Sequence, residues 1–390
     1  MTVNAERLGD PAFFAGSPDT DLARMRAEDP VSWQPHEGLW AVTGHRDIVE
    51  ISRAPETFCS SRGVLMGDRG RPLSGDDSLL YLDPPRHAQY RKLVNRAFTP
   101  LRVAKLEPWL RQLTVRLLDG IDPREPVNLV DALTAPLPLA VIAELLGLPE
   151  DDRVAFRTWS DAIMEAATNL TEENALLSLE LIAYLEHQIG VHRSAPRDDL
   201  LGVLIDAEVD GDRLSDRELV GFCMTLLVAG NETTRSMLSG GLVALAEHPD
   251  QRSLLAADPA LIPGAVEEML RWVSPIMAMG RTATCPAKAG DSDVAPGEFT
   301  LLVYGAANRD PGVFGESANR FDALRSPNPH LAFGIGEHFC LGAGLARLEG
   351  QVLLSEILAR WPHYEVSGEV TTVPSTLLRQ YSSVPVIFEP

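Results

Sequence analysis

The apolar positions of this chain recur mostly at helical spacing. Between Arg102 and Leu118 they fall at Val103, Leu106, Leu110, Leu113 and Leu117, three and four apart, which predicts a helix with one buried face. Pro108 lies inside that stretch. It is expected to kink or interrupt the helix, because its ring clashes with the preceding turn and it offers no amide. Similar spacing predicts helices over Leu139 to Leu146, Ala155 to Ala167 and Glu172 to Arg193. The longest run starts at Ser215. Ser215 and Glu218 form a capping-box pattern, in which each side chain takes an orphan amide of the first turn. The apolar pattern continues to His248, just before Pro249. At 1.5 Å per residue such a helix is roughly 50 Å long and must cross the whole domain. Strand-like runs are short: Leu39 to Thr43, Phe299 to Tyr304 and Val384 to Phe388. The pattern predicts a mainly α protein with a minor β component. No repeat, charge block or linker divides residues 1–390, so a single domain is expected.

Composition narrows the function. With 45% hydrophobic and 23% charged residues the chain can build a packed core. Asp and Glu number 55 against 34 Lys and Arg, a net charge of −21. That balance argues against a nucleic acid or an anionic membrane as partner, since both attract basic surfaces. The four cysteines, Cys59, Cys223, Cys285 and Cys340, form no CxxC pair. Neither a zinc ribbon, an iron–sulfur spacing nor a disulfide framework is expected from them. The N-terminus has no basic region followed by an apolar one, and no apolar run reaches the length of a membrane span. A reducing cytoplasm, without a membrane anchor, is the expected location.

Candidate chemistry concentrates in Phe333-Gly334-Ile335-Gly336-Glu337-His338-Phe339-Cys340-Leu341-Gly342-Ala343-Gly344-Leu345-Ala346-Arg347. Glycines flank one cysteine, and a helix predicted over Leu341 to Leu358 begins immediately after it. A thiolate at a helix N-terminus is favoured by the dipole and by unpaired amides. The glycines let the backbone curl around something large held by the sulfur. On the residues alone, a buried inert thiol, a zinc ligand and a catalytic nucleophile stay open as alternatives.

The same string resembles the haem-binding loop of the cytochrome P-450 family, the haem-thiolate monooxygenases, at nearly every fixed position. The resemblance implies the fold of that family, with a long distal helix over a buried haem. Cys340 would be the axial thiolate ligand of the iron in haem b, Phe333 would pack beside the sulfur, and His338 would bind a propionate. Other segments agree. Glu268 and Arg271, three apart on one helix, match the family's ExxR pair, and Arg325 stands where a third member is found; these three would be structural. Ala229-Gly230-Asn231-Glu232-Thr233-Thr234, in the middle of the long helix, resembles the family's acid–alcohol segment. Ala229, Gly230 and Gly342 would lie against the macrocycle. Thr233 would hold water and dioxygen, and Glu232 would relay protons. His87 and Arg91, four apart, and Arg281 would hold propionates, while Asn308-Arg309-Asp310-Pro311 is a structural landmark.

The activity implied is insertion of one oxygen atom of O2 into a C–H bond of a hydrophobic small molecule, of steroid, terpenoid or fatty-acid type. Tailoring of a macrolide or another secondary metabolite is the alternative within the family. A peroxide-driven peroxygenase and a haem sensor are rivals outside it. Electrons would come from NAD(P)H only indirectly, through a ferredoxin reductase and a ferredoxin docked near Lys92, Arg96 and Arg347. Val228, Val273, Ile276 and Leu378, with Met224, Leu227 and the turn at Leu377 and Tyr381, are candidate pocket residues. Ser60 to Leu82 and Leu170 to Arg193 are expected at the entrance.

Overall fold

The long apolar run forms one helix, Asp216–Glu247, in the computed structural model, which describes residues 8–16, 18–69, 78–166, 171–209 and 211–389. Its first turn is closed by the expected box. Ser215 Oγ accepts from the Glu218 amide at 3.3 Å, and Glu218 Oε2 accepts from the Ser215 amide at 2.8 Å. The helices it packs against include Pro136–Leu145, Glu172–Ser194, Ile262–Val273 and Ala343–Arg360. Two glycines permit the closest of these approaches, since a side chain at Gly241 would overlap Met269 and one at Gly240 would overlap Val273. One core forms there, from Leu238, Leu242, Met269, Leu270, Leu353 and Ile357. A second gathers Phe156, Leu185, Leu201 and Phe222 around the earlier part of the long helix.

Prolines set the breaks. The helix expected from Arg102 is two, Pro100–Lys105 and Glu107–Asp119, joined at Leu106. Pro108 sits in the first turn of the second, where no amide donor is needed. Pro249 likewise opens a new helix, Pro249–Ala257, after a one-residue break at His248. The helix expected over Ala155 to Ala167 spans Arg153–Ala166, and Ala167 lies outside the described residues.

Two of the expected strands, Leu39–Val42 and Phe299–Leu302, are parallel neighbours in a five-stranded sheet. Met279–Ala283 pairs antiparallel with the second of them and sets Arg281 opposite Thr300. The third expected strand, Pro385–Glu389, is the middle of a separate three-stranded sheet. The architecture is mainly α with a minor β component. No helix among the described residues is long and apolar enough to cross a membrane.

Candidate active site

The Cys340 loop is held by its own backbone. The Cys340 amide donates to the Phe333 carbonyl at 2.9 Å and the Phe339 amide to the Gly336 carbonyl at 3.1 Å. Gly334 and Gly336 have φ of +66° and +78°, a region that L side chains avoid. At Gly336 a side chain would also overlap the Ser52 carbonyl. The following helix starts at Ala343, two residues later than expected, because Gly342 is its N-cap. Phe333 is buried, and the Arg347 guanidinium lies 4.7 Å from its ring centroid. Burial pushes the Cys340 thiol up, while the Gly342 amide, Arg91, Arg347 and the Ala343 amide favour the thiolate.

Cys340 opens into a cavity with about 1550 Å³ of empty space, part of it open to solvent. The long helix contributes Ala229, Gly230 and Thr233 to its lining, and the cysteine loop contributes Phe333, His338 and Gly342. Cations gather at the same cavity. Arg91 lines it and donates to the Phe339 carbonyl at 2.5 Å. Arg281 lines it from the sheet and donates to the Gly280 carbonyl at 2.7 Å. His338 Nε2 meets Ser60 Oγ at 3.2 Å, and the His87 ring stacks behind it with centroids 4.2 Å apart. His87 is 2% exposed and its Nε2 has no partner. Burial, then Arg281, His87 and Arg91, push His338 down to about 3. Burial and Arg91 lower His87 as well. Two guanidiniums and two uncharged imidazoles crowded this way call for an anionic partner with several acceptor oxygens. One thiol, this donor cluster and an orphaned imidazole nitrogen fit an iron porphyrin with two carboxylates.

Glu268 and Arg271 form a buried pair, both 0% exposed, not a surface one. Arg325 Nε joins Glu268 Oε2 at 3.1 Å, so all three structural candidates meet. Asn308 ties this cluster to the cysteine loop. Its Nδ2 donates to Ser274 Oγ at 2.9 Å, and its Oδ1 accepts from the Leu331 amide at 2.6 Å.

The acid–alcohol pair divides. Thr233 lines the cavity and its Oγ1 donates to the Ala229 carbonyl at 2.6 Å. Glu232 is buried but does not line the cavity. Its carboxylate accepts from Arg235 at 3.3 Å and from Gln380 of the strand Gln380–Ser383. These two partners draw the carboxylate away from the cavity that Thr233 faces. The expected relay residue is therefore held away from the site. Gly230 does line it, and a Cβ there would come within 3.3 Å of Ile142 Cδ1, a tight contact with the end of a side chain.

Of the expected pocket residues, Ile276 lines the cavity and Val228, Val273 and Leu378 do not. Val273 is buried beneath the long helix at Gly240. Leu378 pairs through its backbone with Ile276. Val228 is 40% exposed, since the cavity-facing stripe runs through Thr225, Ala229 and Thr233. Met224, Leu227, Leu377 and Tyr381 are absent from the lining too. The entrance loop contributes Val64, Leu79 and Leu80; residues 70–77 and Leu170 lie outside the described residues. Arg347, expected at a docking patch, is engaged by Glu267 through bonds of 2.6 and 2.8 Å.

Residues not singled out in the sequence include Thr225, Tyr304 and Glu349, all in the lining. Thr225 was signalled by its spacing, four and eight residues before Ala229 and Thr233. Glu349 is 2% exposed, its Oε2 has no partner, and burial pushes its carboxyl up to about 8. An unfolded glutamate titrates near 4.3, so the folded protein binds the extra proton between these values. Its contribution to stability is full below about pH 4 and is lost as pH rises through 8, at about 1.4 kcal/mol per unit. Glu349→Gln removes that dependence. The melting temperature of the wild type is expected to fall by several degrees more than that of the variant between pH 6 and pH 8, measured by calorimetry.

The Cytochrome P450 family model matches residues 155–257 and 260–380. The chain is 37% identical to the steroid C26-monooxygenase of Mycobacterium tuberculosis, over 98% of this chain and 97% of that one. The crystal structure of CYP109E1 from Bacillus megaterium in complex with testosterone superposes with a TM-score of 0.88 at 34% identity, covering 96% of this chain and 99% of the other. A post-tailoring hydroxylase of himastatin biosynthesis, HmtN, gives a TM-score of 0.85 at 37% identity over 100% of both chains. This chain belongs to the cytochrome P450 family and is a haem-thiolate monooxygenase that uses dioxygen.

Proposed function

We propose that this monooxygenase hydroxylates an unactivated carbon of a steroid, terpenoid or fatty-acid-like molecule. The observation that carries the reading is that the Cys340 sulfur and the Thr233 side chain open into one largely apolar cavity. When bound, the haem supplies dioxygen activation, which a thiolate ligand promotes. Cys340 is the ligand in this reading, and Phe333 and Gly342 shape its surroundings. Arg91, Arg281, His338 and His87 hold the propionates. Ala229 and Gly230 lie against the macrocycle, and Glu268, Arg271 and Arg325 fix the loop that presents the sulfur. Thr233 Oγ1 holds a water and passes its proton into the site. Glu232, whose carboxyl burial pushes toward the protonated form, takes a proton from solvent, releases Gln380 and turns to pass that proton to Thr233.

Residues 1–390 act as one domain around this cavity, in the cytoplasm. Electrons arrive from NAD(P)H through a ferredoxin reductase and an acidic ferredoxin that docks at the exposed Lys92 and Arg96. The likeness to a steroid C26-monooxygenase and to a P450 crystallised with testosterone supports the substrate class. The likeness to HmtN favours a second reading, secondary-metabolite tailoring. A spectral titration with steroids, terpenes, fatty acids and macrolides separates the two by which class shifts the iron to high spin. Product formation with reductase, ferredoxin and dioxygen, and none with peroxide alone, is expected. Turnover with peroxide alone overturns the monooxygenase route.

Thr233→Ala is expected to keep the haem and the spin shift but to lower product formed per NAD(P)H by about a hundredfold, the lower end of what a positioned proton-transfer group contributes. The lost equivalents appear as peroxide. Full coupling in this variant removes Thr233 from the proton path.

A further inference from the structure

The cavity-facing stripe of the long helix carries a second hydroxyl that the oxidation chemistry does not use. Thr225 stands eight residues before Thr233, which at 1.5 Å per residue places it about 12 Å along the helix axis. The described lining residues at this end of the helix and in the adjoining segments include the apolar Leu79, Leu80, Phe98, Phe222 and Leu226. Thr225 Oγ1 donates to the Gly221 carbonyl at 2.8 Å and lies 3.1 Å from Ser78 Oγ, which caps the turn Leu79–Tyr81. A hydroxyl has one hydrogen and two acceptor sites. With its hydrogen on Gly221 and one acceptor site on Ser78, Thr225 keeps one acceptor site for the cavity. An acceptor site in largely apolar surroundings discriminates, because it rewards a matching donor and no apolar group satisfies it.

Building on the substrate class proposed above, we infer that Thr225, steadied by Ser78, is a specificity-determining residue. It accepts a hydrogen bond from a hydroxyl at the far end of an otherwise apolar substrate, about 12 Å from the carbon presented at Thr233. The substrate is thus a hydroxylated hydrophobe, of which a 3-hydroxysteroid is the steroid case. The oxygen must carry hydrogen. A ketone in the same place offers no donor.

The test is a spin-state titration of the haem-loaded protein with 5α-androstan-3β-ol, 5α-androstan-3-one and 5α-androstane. The wild type is expected to bind the alcohol about five- to tenfold more tightly than the other two, the range of one neutral hydrogen bond. Thr225→Val brings the three dissociation constants within about twofold, and Thr225→Ser restores the preference. Ser78→Ala weakens it. If the wild type binds all three alike, or Thr225→Val keeps the preference, the assignment is overturned while the steroid reading stands. If no member shifts the spin state of the wild type while macrolides do, the substrate class itself fails and takes the inference with it.

Discussion

Cys340→Ser is expected to abolish monooxygenation while leaving the protein folded. The loop does not depend on the sulfur. Its turns are closed by the Cys340 and Phe339 amides and by glycines in left-handed conformation, none of which the substitution touches. The serine hydroxyl is nearly isosteric with the thiol, so the melting temperature of the haem-free protein should stay within a few degrees. The donor, however, changes from a group that ionises to one that does not, and the electron density that favours O–O cleavage goes with it. A fall in turnover of roughly a thousandfold or more, about 4 kcal/mol of barrier, is the expected scale. The carbon monoxide spectrum of the reduced variant should lose the thiolate band. No other cysteine can substitute. Among the described residues that line the cavity Cys340 is the only one, and Cys223 lies in the second core with its thiol pushed up to about 12 by burial. A thiolate spectrum persisting in Cys340→Ser would falsify the assignment of the ligand.

Much of this architecture was legible along the chain because local rules specify it. The box at Ser215, the prolines at 108 and 249 and the apolar spacing set the helix ends within a few residues. Backbone glycines marked the cysteine loop. What stayed hidden depends on contacts between distant segments. Ser274 takes a left-handed conformation, φ +48°, that its identity does not announce, because Asn308 and the Arg271 carbonyl hold its hydroxyl. Glu232 turns from the cavity because Gln380, 148 positions later, reaches it. Val273 and Leu378 satisfy the apolar criterion for a pocket as well as for a core, and periodicity cannot tell the two apart. The burial of Glu268 and Arg271 was equally invisible, since a spacing of three fits a solvated pair and a dry one alike.

That dryness gives the second large effect, at Glu268. Arg271 uses all five of its N–H groups: Nε and Nη2 bond the Glu268 carboxylate at 2.7 Å each, Nη1 bonds the carbonyls of Asn308 and Ala318, and Nη2 also bonds that of Arg320. Glu268 in turn accepts from Arg325, from the Asp322 amide at 2.8 Å and from Asn328 Nδ2 at 3.1 Å. One carboxylate thus balances two buried guanidiniums and pins the segment that leads into the cysteine loop. Glu268→Gln keeps the volume but removes the charge and turns an amide N–H toward a guanidinium. Breaking a buried pair on one side costs about 3–5 kcal/mol, because the remaining charge has no counter-ion. Against a total stability of roughly 5–15 kcal/mol that is a large fraction. The variant is expected to melt many degrees lower and to lose haem faster on dilution, with hydrogen exchange rising first between Asp322 and Cys340. Replacing both partners, Glu268→Leu with Arg271→Met, does not rescue it, although such swaps are neutral for isolated pairs. Here Arg325 keeps its charge and the carbonyls of Asn308 and Ala318 lose their donors. A double variant as stable as the wild type would show instead that packing, not this bonded charge cluster, holds the loop in place.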